Sequence, residues 1–227
     1  MEPHTVRTSA ERVARAVAGG LALGVLLASA CSRGEPVVGA GSSGPLTNPG
    51  PEDAADFGAL PEFHLTNQRG EPVTLADLRG RPLVFGALYS TCTGPCPSIA
   101  RGLKKLQDEL QDTDVHLVVV SVDPAADTPE VLASYAGRVG ADPERWTFLT
   151  GPEAEVDAFV RSGLFQAVSR AERAPTDERV THDVRLLAVD RQGHRRGWYP
   201  GNDEVQLEKL RRRLRFLASE PTPTDAK

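Results

Sequence analysis

Cys92 and Cys96 stand four positions apart in the stretch Tyr89-Ser90-Thr91-Cys92-Thr93-Gly94-Pro95-Cys96-Pro97. Thiolates are nucleophiles and soft donors, so two of them at one spot can hold a soft metal ion or close a disulfide. A turn winding directly into a helix would put positions i and i+4 on one face. The free N–H groups and dipole of that helix N-terminus would then favour thiolate over thiol. Free cysteines also pack as small, inert hydrophobes. The Thr, Gly and Pro around this pair favour an exposed loop instead. The spacing alone does not choose among metal site, redox pair and packing.

The elements that must position the pair are legible on either side. Residues 82–88 are an unbroken apolar run, read as a buried strand, and residues 98–110 carry Leu103, Leu106 and Leu110 at helical spacing. Upstream, residues 63–66 and 73–75 flank Asn67-Gln68-Arg69-Gly70 and read as a hairpin, with Gly70 at a positive φ. Residues 76–80 read as a short turn. Downstream, residues 115–122 form a second β-branched run of the kind buried on both faces of an α/β sheet. Asp127-Thr128-Pro129-Glu130 opens a helix with a cap, a first-turn proline and an acid. Residues 146–149 read as a short strand anchored by Trp146, residues 152–165 as a helix, and the polar residues 167–180 as a surface loop. Residues 184–189 and 194–199 pair around a turn at 190–193. Residues 202–217 form the last helix, with acids at its start and arginines near its end. The order is that of an α/β, thioredoxin-like fold: a central mixed sheet, helices on both faces, and an added N-terminal hairpin.

That layout brings the segment before the penultimate sheet strand beside the cysteine loop. The segment is Thr181-His182-Asp183. Thioredoxin-like oxidoreductases carry proline here, which shapes a surface for mixed disulfides; imidazole is a metal ligand. Cys92, Cys96 and His182 would offer two sulfurs and one nitrogen, suited to Cu(I), or to Cu(II) with a further ligand. A structural zinc site would want four protein ligands. The other histidines read differently: His64 as an exposed strand residue, His116 as an edge or core-margin residue, His194 as solvent-facing.

The chain has 227 residues with 40% hydrophobic content, 26 basic and 31 acidic groups, and 3 cysteines. This balance gives no reason to expect nucleic acid as a partner. Arg7, Arg12 and Arg15 precede residues 16–30, which carry no charge. Fifteen apolar residues are short for a transmembrane helix, which needs about 20, and fit a secretory signal peptide. Ala28-Ser29-Ala30 before Cys31 resembles a bacterial lipoprotein signal, with Cys31 the lipid-carrying first residue of the mature chain, although Ala28 stands where leucine is usual. Ordinary cleavage near Ala30 and an uncleaved anchor are the alternatives, and all three place the domain outside the cytoplasm. Loss of residues 1–30 removes three basic and two acidic groups and leaves a net charge of −6. Residues 31–56 read as a flexible linker rich in Gly, Pro, Ser and Ala, residues 57–217 as the folded domain, and residues 218–227 as a tail.

With these residues placed, the chain resembles the SCO/SenC family of copper-binding, thioredoxin-fold proteins. The marks are Cys92-Thr93-Gly94-Pro95-Cys96-Pro97, then Val120-Ser121-Val122-Asp123-Pro124 with Asp127-Thr128-Pro129-Glu130, then His182, 86 positions after Cys96 and followed by residues 186–190 and Gly193. The resemblance implies a membrane-tethered protein outside the cytoplasm that serves assembly of the binuclear copper centre of cytochrome c oxidase, with subunit II as client. It implies copper bound by Cys92, Cys96 and His182. The chain departs from the family in carrying Thr93-Gly94-Pro95 where Pro-Asp-Val is frequent, and Thr181 where an Asp often precedes the histidine. Two other functions fit the same fold. A thiol–disulfide reductase would cycle Cys92 and Cys96 between dithiol and disulfide; the three-residue spacing and the missing proline before Val184 weigh against it. A peroxidase would want Thr or Ser three positions before its reactive cysteine, where this chain has Tyr89.

Overall fold

The computed structural model describes residues 55–171 and 180–222. The expected signal peptide, Cys31 and all but the last two linker residues lie outside the described residues, as do residues 172–179 and the end of the tail. The chain divides into two compact units, and every described residue belongs to Gly44–Lys227. No helix among the described residues is long and apolar enough to cross a membrane.

The elements follow the order β1 (His64–Asn67), β2 (Pro72–Thr74), α1 (Leu75–Leu78), β3 (Leu83–Leu88), α2 (Cys96–Glu109), β4 (His116–Ser121), α3 (Pro129–Val139), β5 (Trp146–Thr150), α4 (Glu153–Ser162), β6 (Val168–Arg170), β7 (Val180–His182), β8 (Arg185–Val189), β9 (Arg195–Pro200) and α5 (Glu204–Ser219). Seven strands form one mixed sheet in the order β2-β1-β5-β4-β3-β8-β9. β3, β4 and β5 run parallel, and β1, β8 and β9 add antiparallel strands at the two sides. Every residue of β3 and β4 is buried, as their unbroken apolar runs predict. The pleat explains why helices cover both faces. Phe85 meets Phe159 of α4, with ring centroids 5.7 Å apart, whereas the next residue, Gly86, faces Leu103 of α2. Trp146 is fully buried, as expected. The thioredoxin-like arrangement read from the sequence is the one observed.

Several boundaries differ from expectation for local reasons. Residues 75–78 form a helical turn, because Thr74 and Asp77 make a reciprocal capping box. Gly70 sits at φ 78°, as the hairpin requires. α3 is capped by Thr128, whose side chain accepts from Val131 N, so Asp127 is left for another use. α4 ends at Ser162, and Phe165, expected to be helical, has φ 52°. Residues 167–180 are not all loop. Val168 to Arg170 pairs antiparallel with Val180 to His182 in a separate two-stranded ribbon. This ribbon is short and polar, so it lacks the alternating signal of a strand. It is held from outside itself, by Arg170 donating to Asp157 of α4 and to the Val122 carbonyl beyond β4.

One histidine differs and another gains a partner. The His194 side chain is 38% exposed, as expected, and its Nδ1 lies 2.6 Å from an Asp56 carboxylate oxygen, which ties the end of the expected linker to the turn ahead of β9. His116 is not marginal: β4 lies between β3 and β5, and the side chain is buried with Nε2 2.8 Å from the Thr147 hydroxyl. Burial, aided by the nearby charges of Arg81 and Arg145, pushes its pKa down to about 3. The unfolded chain therefore takes up this proton near pH 6.5, before the native state does. Stability contributed at neutral pH is lost as pH falls from about 6.5 toward 3, by at most about 1.4 kcal/mol per pH unit. A His116→Gln variant should show a shallower acid-side loss in urea midpoints measured between pH 7 and pH 4.5. Equal slopes in the two proteins would show that His116 does not carry this linkage.

Candidate metal centre

β3 carries the chain into Tyr89 at the end of the sheet, where the backbone N of Cys92 donates to the Tyr89 carbonyl at 3.3 Å. Cys96 is the first residue of α2, and Pro97 follows it where a missing N–H costs nothing. Cys92 therefore lies in the loop ahead of the helix. The two cysteines meet because the loop curls back, not because they share a helical face. The loop residues Thr93, Gly94 and Pro95 are exposed as expected, but the cysteines are not: Cys92 is 9% and Cys96 1% exposed, and both are free thiols.

The loop is tethered from behind by Asp127. This carboxylate is fully buried and accepts from the backbone N of Ser90 at 3.1 Å, from the Ser90 hydroxyl, and from the Ser121 hydroxyl at the end of β4. The second residue past β3 and the last residue of β4 are thus held by one group.

His182 arrives on the ribbon. Alternation along β7 turns Val180 and His182 to one side and leaves Thr181 exposed on the other. The His182 Nε2 lies 3.3 Å from Cys96 Sγ, and the ligand atoms of Cys92, Cys96 and His182 all fall within 4.8 Å of one another. The three residues that the sequence singled out, drawn from positions up to 90 apart, form one cluster. Among the described residues it is the one group of three or more His, Cys, Asp or Glu side chains close enough to share a metal ion. His64 is exposed on β1, and His116 and His194 are engaged elsewhere.

The imidazole is oriented at its other nitrogen, where Nδ1 lies 2.8 Å from the Asp183 carbonyl. A carbonyl only accepts, so Nδ1 carries the proton and Nε2 presents a lone pair to the sulfurs. Burial lowers the His182 pKa, with the Asp183 carbonyl and charge opposing it, and this favours the neutral ring. The Asp183 side chain is held in turn: it accepts from the backbone N of Arg185 at 2.9 Å and from Arg185 Nε at 2.7 Å, while the same guanidinium reaches the Phe165 carbonyl. Tyr89 packs edge-on against His182, with ring centroids 5.9 Å apart. The expected stabilisation of thiolate by the helix N-terminus does not dominate. Burial pushes the Cys96 thiol up, and its hydrogen bond with Cys92 adds to the shift. Burial of the Cys96 sulfur therefore favours its protonated form until a ligand-binding event replaces the proton. A cleft of about 280 Å³, lined by Tyr89, Cys92, Gly94, Val180 and His182 among others, opens onto the cluster.

A thioredoxin-like domain with two sulfurs and an imidazole nitrogen converging at the ends of its parallel strands has the donor set of a soft-metal site. Comparison with known proteins gives its lineage. The SCO1/SenC family description matches residues 51–217, and the chain belongs to that family. It is 28% identical over 134 residues to the SCO1 protein homolog of Bacillus subtilis, covering 58% of this chain and 68% of that one. The crystal structure of a SCO1/SenC family lipoprotein from Bacillus anthracis is 28% identical with a TM-score of 0.65, over 71% of this chain and 95% of that one. Arabidopsis thaliana ScoI with copper bound, at 23% identity and a TM-score of 0.62 over 70% of this chain and 99% of that one, shares the fold.

The sequence did not reveal the residues that hold the candidate ligands in place. Asp127 reads as part of a helix cap, Ser90, Ser121 and Asp183 appear only as parts of motifs with no role of their own, and Arg185 carries no signal. The one available signal for Asp127 was that Thr128 could cap α3 alone, leaving an acid without a task. Asp127→Ala would leave a backbone N–H and two hydroxyls without their acceptor. We expect a loss of about 1–3 kcal/mol in stability, read from urea unfolding, with Asp127→Asn, which retains an acceptor oxygen, losing less. No change in Asp127→Ala would show that this carboxylate does not tether the loop.

Proposed function

We propose that the chain is an extracytoplasmic copper carrier that serves assembly of the copper centre of cytochrome c oxidase, with copper as its cargo. The observation that carries this reading is the convergence of Cys92, Cys96 and His182 within 4.8 Å, in a member of the SCO1/SenC family. The donor set fits the cargo. Two sulfurs and a neutral nitrogen with its lone pair turned inward suit Cu(I), which accepts soft donors at low coordination number.

In this reading Cys92 and Cys96 each give up a proton when they become ligands, and His182, already neutral, gives up none. His182 caps the sulfur pair from the ribbon side, with Asp183 setting its tautomer. The cleft over Cys92 and His182 leaves a face from which an acceptor's cysteines replace the ligands one at a time. The client expected from the resemblance is subunit II of the oxidase. Copper bound on this fold in the Arabidopsis neighbour supports the cargo. We extend the reading to the N-terminus: residues 1–30 act as a lipoprotein-type signal, Cys31 carries the lipid, and residues 31–56 tether the domain at the membrane. The lipoprotein from B. anthracis supports that anchorage.

The test is an anaerobic Cu(I) competition titration of the reduced full chain in detergent, beside a Cys92→Ser/Cys96→Ser variant. One tight equivalent, lost in the variant, is expected; no tight binding would overturn the carrier reading. His182→Ala should weaken binding, more for Cu(II) than for Cu(I), and unchanged binding of both would remove the histidine from the site. The raised Cys96 pKa sets a pH dependence. Because this thiol is protonated at neutral pH and must ionise, apparent Cu(I) affinity should fall by at least about tenfold per unit between pH 8 and pH 6.

A further inference from the structure

Cys92 also lines a second cleft, of about 440 Å³, between α2 and α3. Cys92 is the only residue that this cleft shares with the one containing His182. Part of its wall is apolar, from Ala100, Val139 and the ring of Tyr135. Arg101, Lys104 and Arg138 make its charge basic, and no lining residue is acidic. Lys104 pairs with Asp108 one turn further along α2. Arg101 and Arg138 have no carboxylate partner among the described residues, and Arg138 lies 5.3 Å over the Tyr135 ring. A basic recess on a chain of net charge −5 is a local departure from its overall balance. Its size suits a small molecule, and a cysteine stands in its wall.

We infer that this cleft binds a small carboxylate-bearing thiol and directs its sulfur onto Cys92, so that the oxidised cysteine pair is reduced there. Cys92 is the more exposed of the two cysteines, 9% against 1%, and is the sulfur an incoming thiolate can reach. With Cys92 and Cys96 joined as a disulfide, the bound thiolate attacks Cys92 Sγ. A new S–S bond forms, the Cys92–Cys96 bond breaks, and Cys96 leaves as a thiolate and takes a proton. A second molecule of the small thiol, as its thiolate, attacks the sulfur of the first, and Cys92 leaves as a thiolate. Two small thiols become one small disulfide, and their two electrons go to the cysteine pair. Arg101 and Arg138 hold the carboxylates during the first attack and raise the local concentration of an anionic thiol over a neutral one. The inference requires only the redox pair and stands or falls independently of copper binding.

The test uses the copper-free, oxidised full chain in detergent. Reduction is followed by quenched alkylation of the cysteines with glutathione, which carries two carboxylates, and with glutathione diethyl ester, which carries none. Rates are expressed per thiolate and divided by those with an unstructured disulfide. At low salt glutathione should be faster than its ester by about tenfold. In an Arg101→Gln/Arg138→Gln variant the two should agree within about twofold, with the ester rate unchanged as a control for intact folding. Equal rates in the unsubstituted protein, or a preference that survives the double substitution, would overturn the inference. So would a preference absent for glutathione but present, and arginine-dependent, for a cysteine flanked by acidic residues in a longer peptide, because the cleft would then serve a polypeptide.

Discussion

A single buried carboxylate holds together the end of the sheet where the chemistry sits. Asp127 accepts from the backbone and side chain of Ser90, just past β3, and from the side chain of Ser121, which ends β4. An acceptor with no exposure to water is useful only while its donors stay in place, and donors left without it would each bear a desolvation cost. The loop after β3 is therefore not free to wander, and its curl brings Cys92 back toward Cys96. On the opposite side the ribbon is pinned to α4 and to Val122 through Arg170. The His182 side chain reaches Cys96 across two supports that are each tied to the sheet or its flanking helix by hydrogen bonds.

The same burial that fixes the geometry also sets the chemistry. Water exclusion raises the Cys96 pKa and lowers that of His182. Both shifts favour neutral forms: a thiol that keeps its proton and an imidazole that has lost one. A site made this way is quiet in the absence of its cargo. Binding is then an exchange of protons for a soft cation, which ties capture and release to pH and to competing thiols. Burial is uneven, however. Cys92 keeps some exposure and borders two clefts of different character, one capped by imidazole and one rimmed by guanidinium groups.

Much of the site was legible in the sequence because its parts are marked by residue type. The apolar runs of β3 and β4, the strand-to-helix position of Cys92 and Cys96, and a histidine where related folds carry proline were enough to bring three candidate ligands together on paper. The supports were not legible. Asp127 lies in a motif that reads as a helix cap, and only its contacts with Ser90 and Ser121, 37 and 6 positions away, reveal its use. The ribbon was read as loop because six polar or mixed residues, separated in sequence, give no period; ion pairing from Arg170 holds it. The helix N-terminus was expected to depress the thiol pKa, whereas desolvation outweighs it. Long-range hydrogen bonds and burial leave little trace in local sequence patterns, and these decided the details.

Joint binding of Cu(I) by two sulfurs and one nitrogen of this chain can be read by X-ray absorption at the copper edge of the reduced, Cu(I)-loaded full chain. A three-coordinate ion with two sulfur neighbours and one imidazole nitrogen is expected, with the nitrogen shell lost in His182→Ala. A shell of sulfur alone, unchanged by His182→Ala, would show that the histidine is not part of the site.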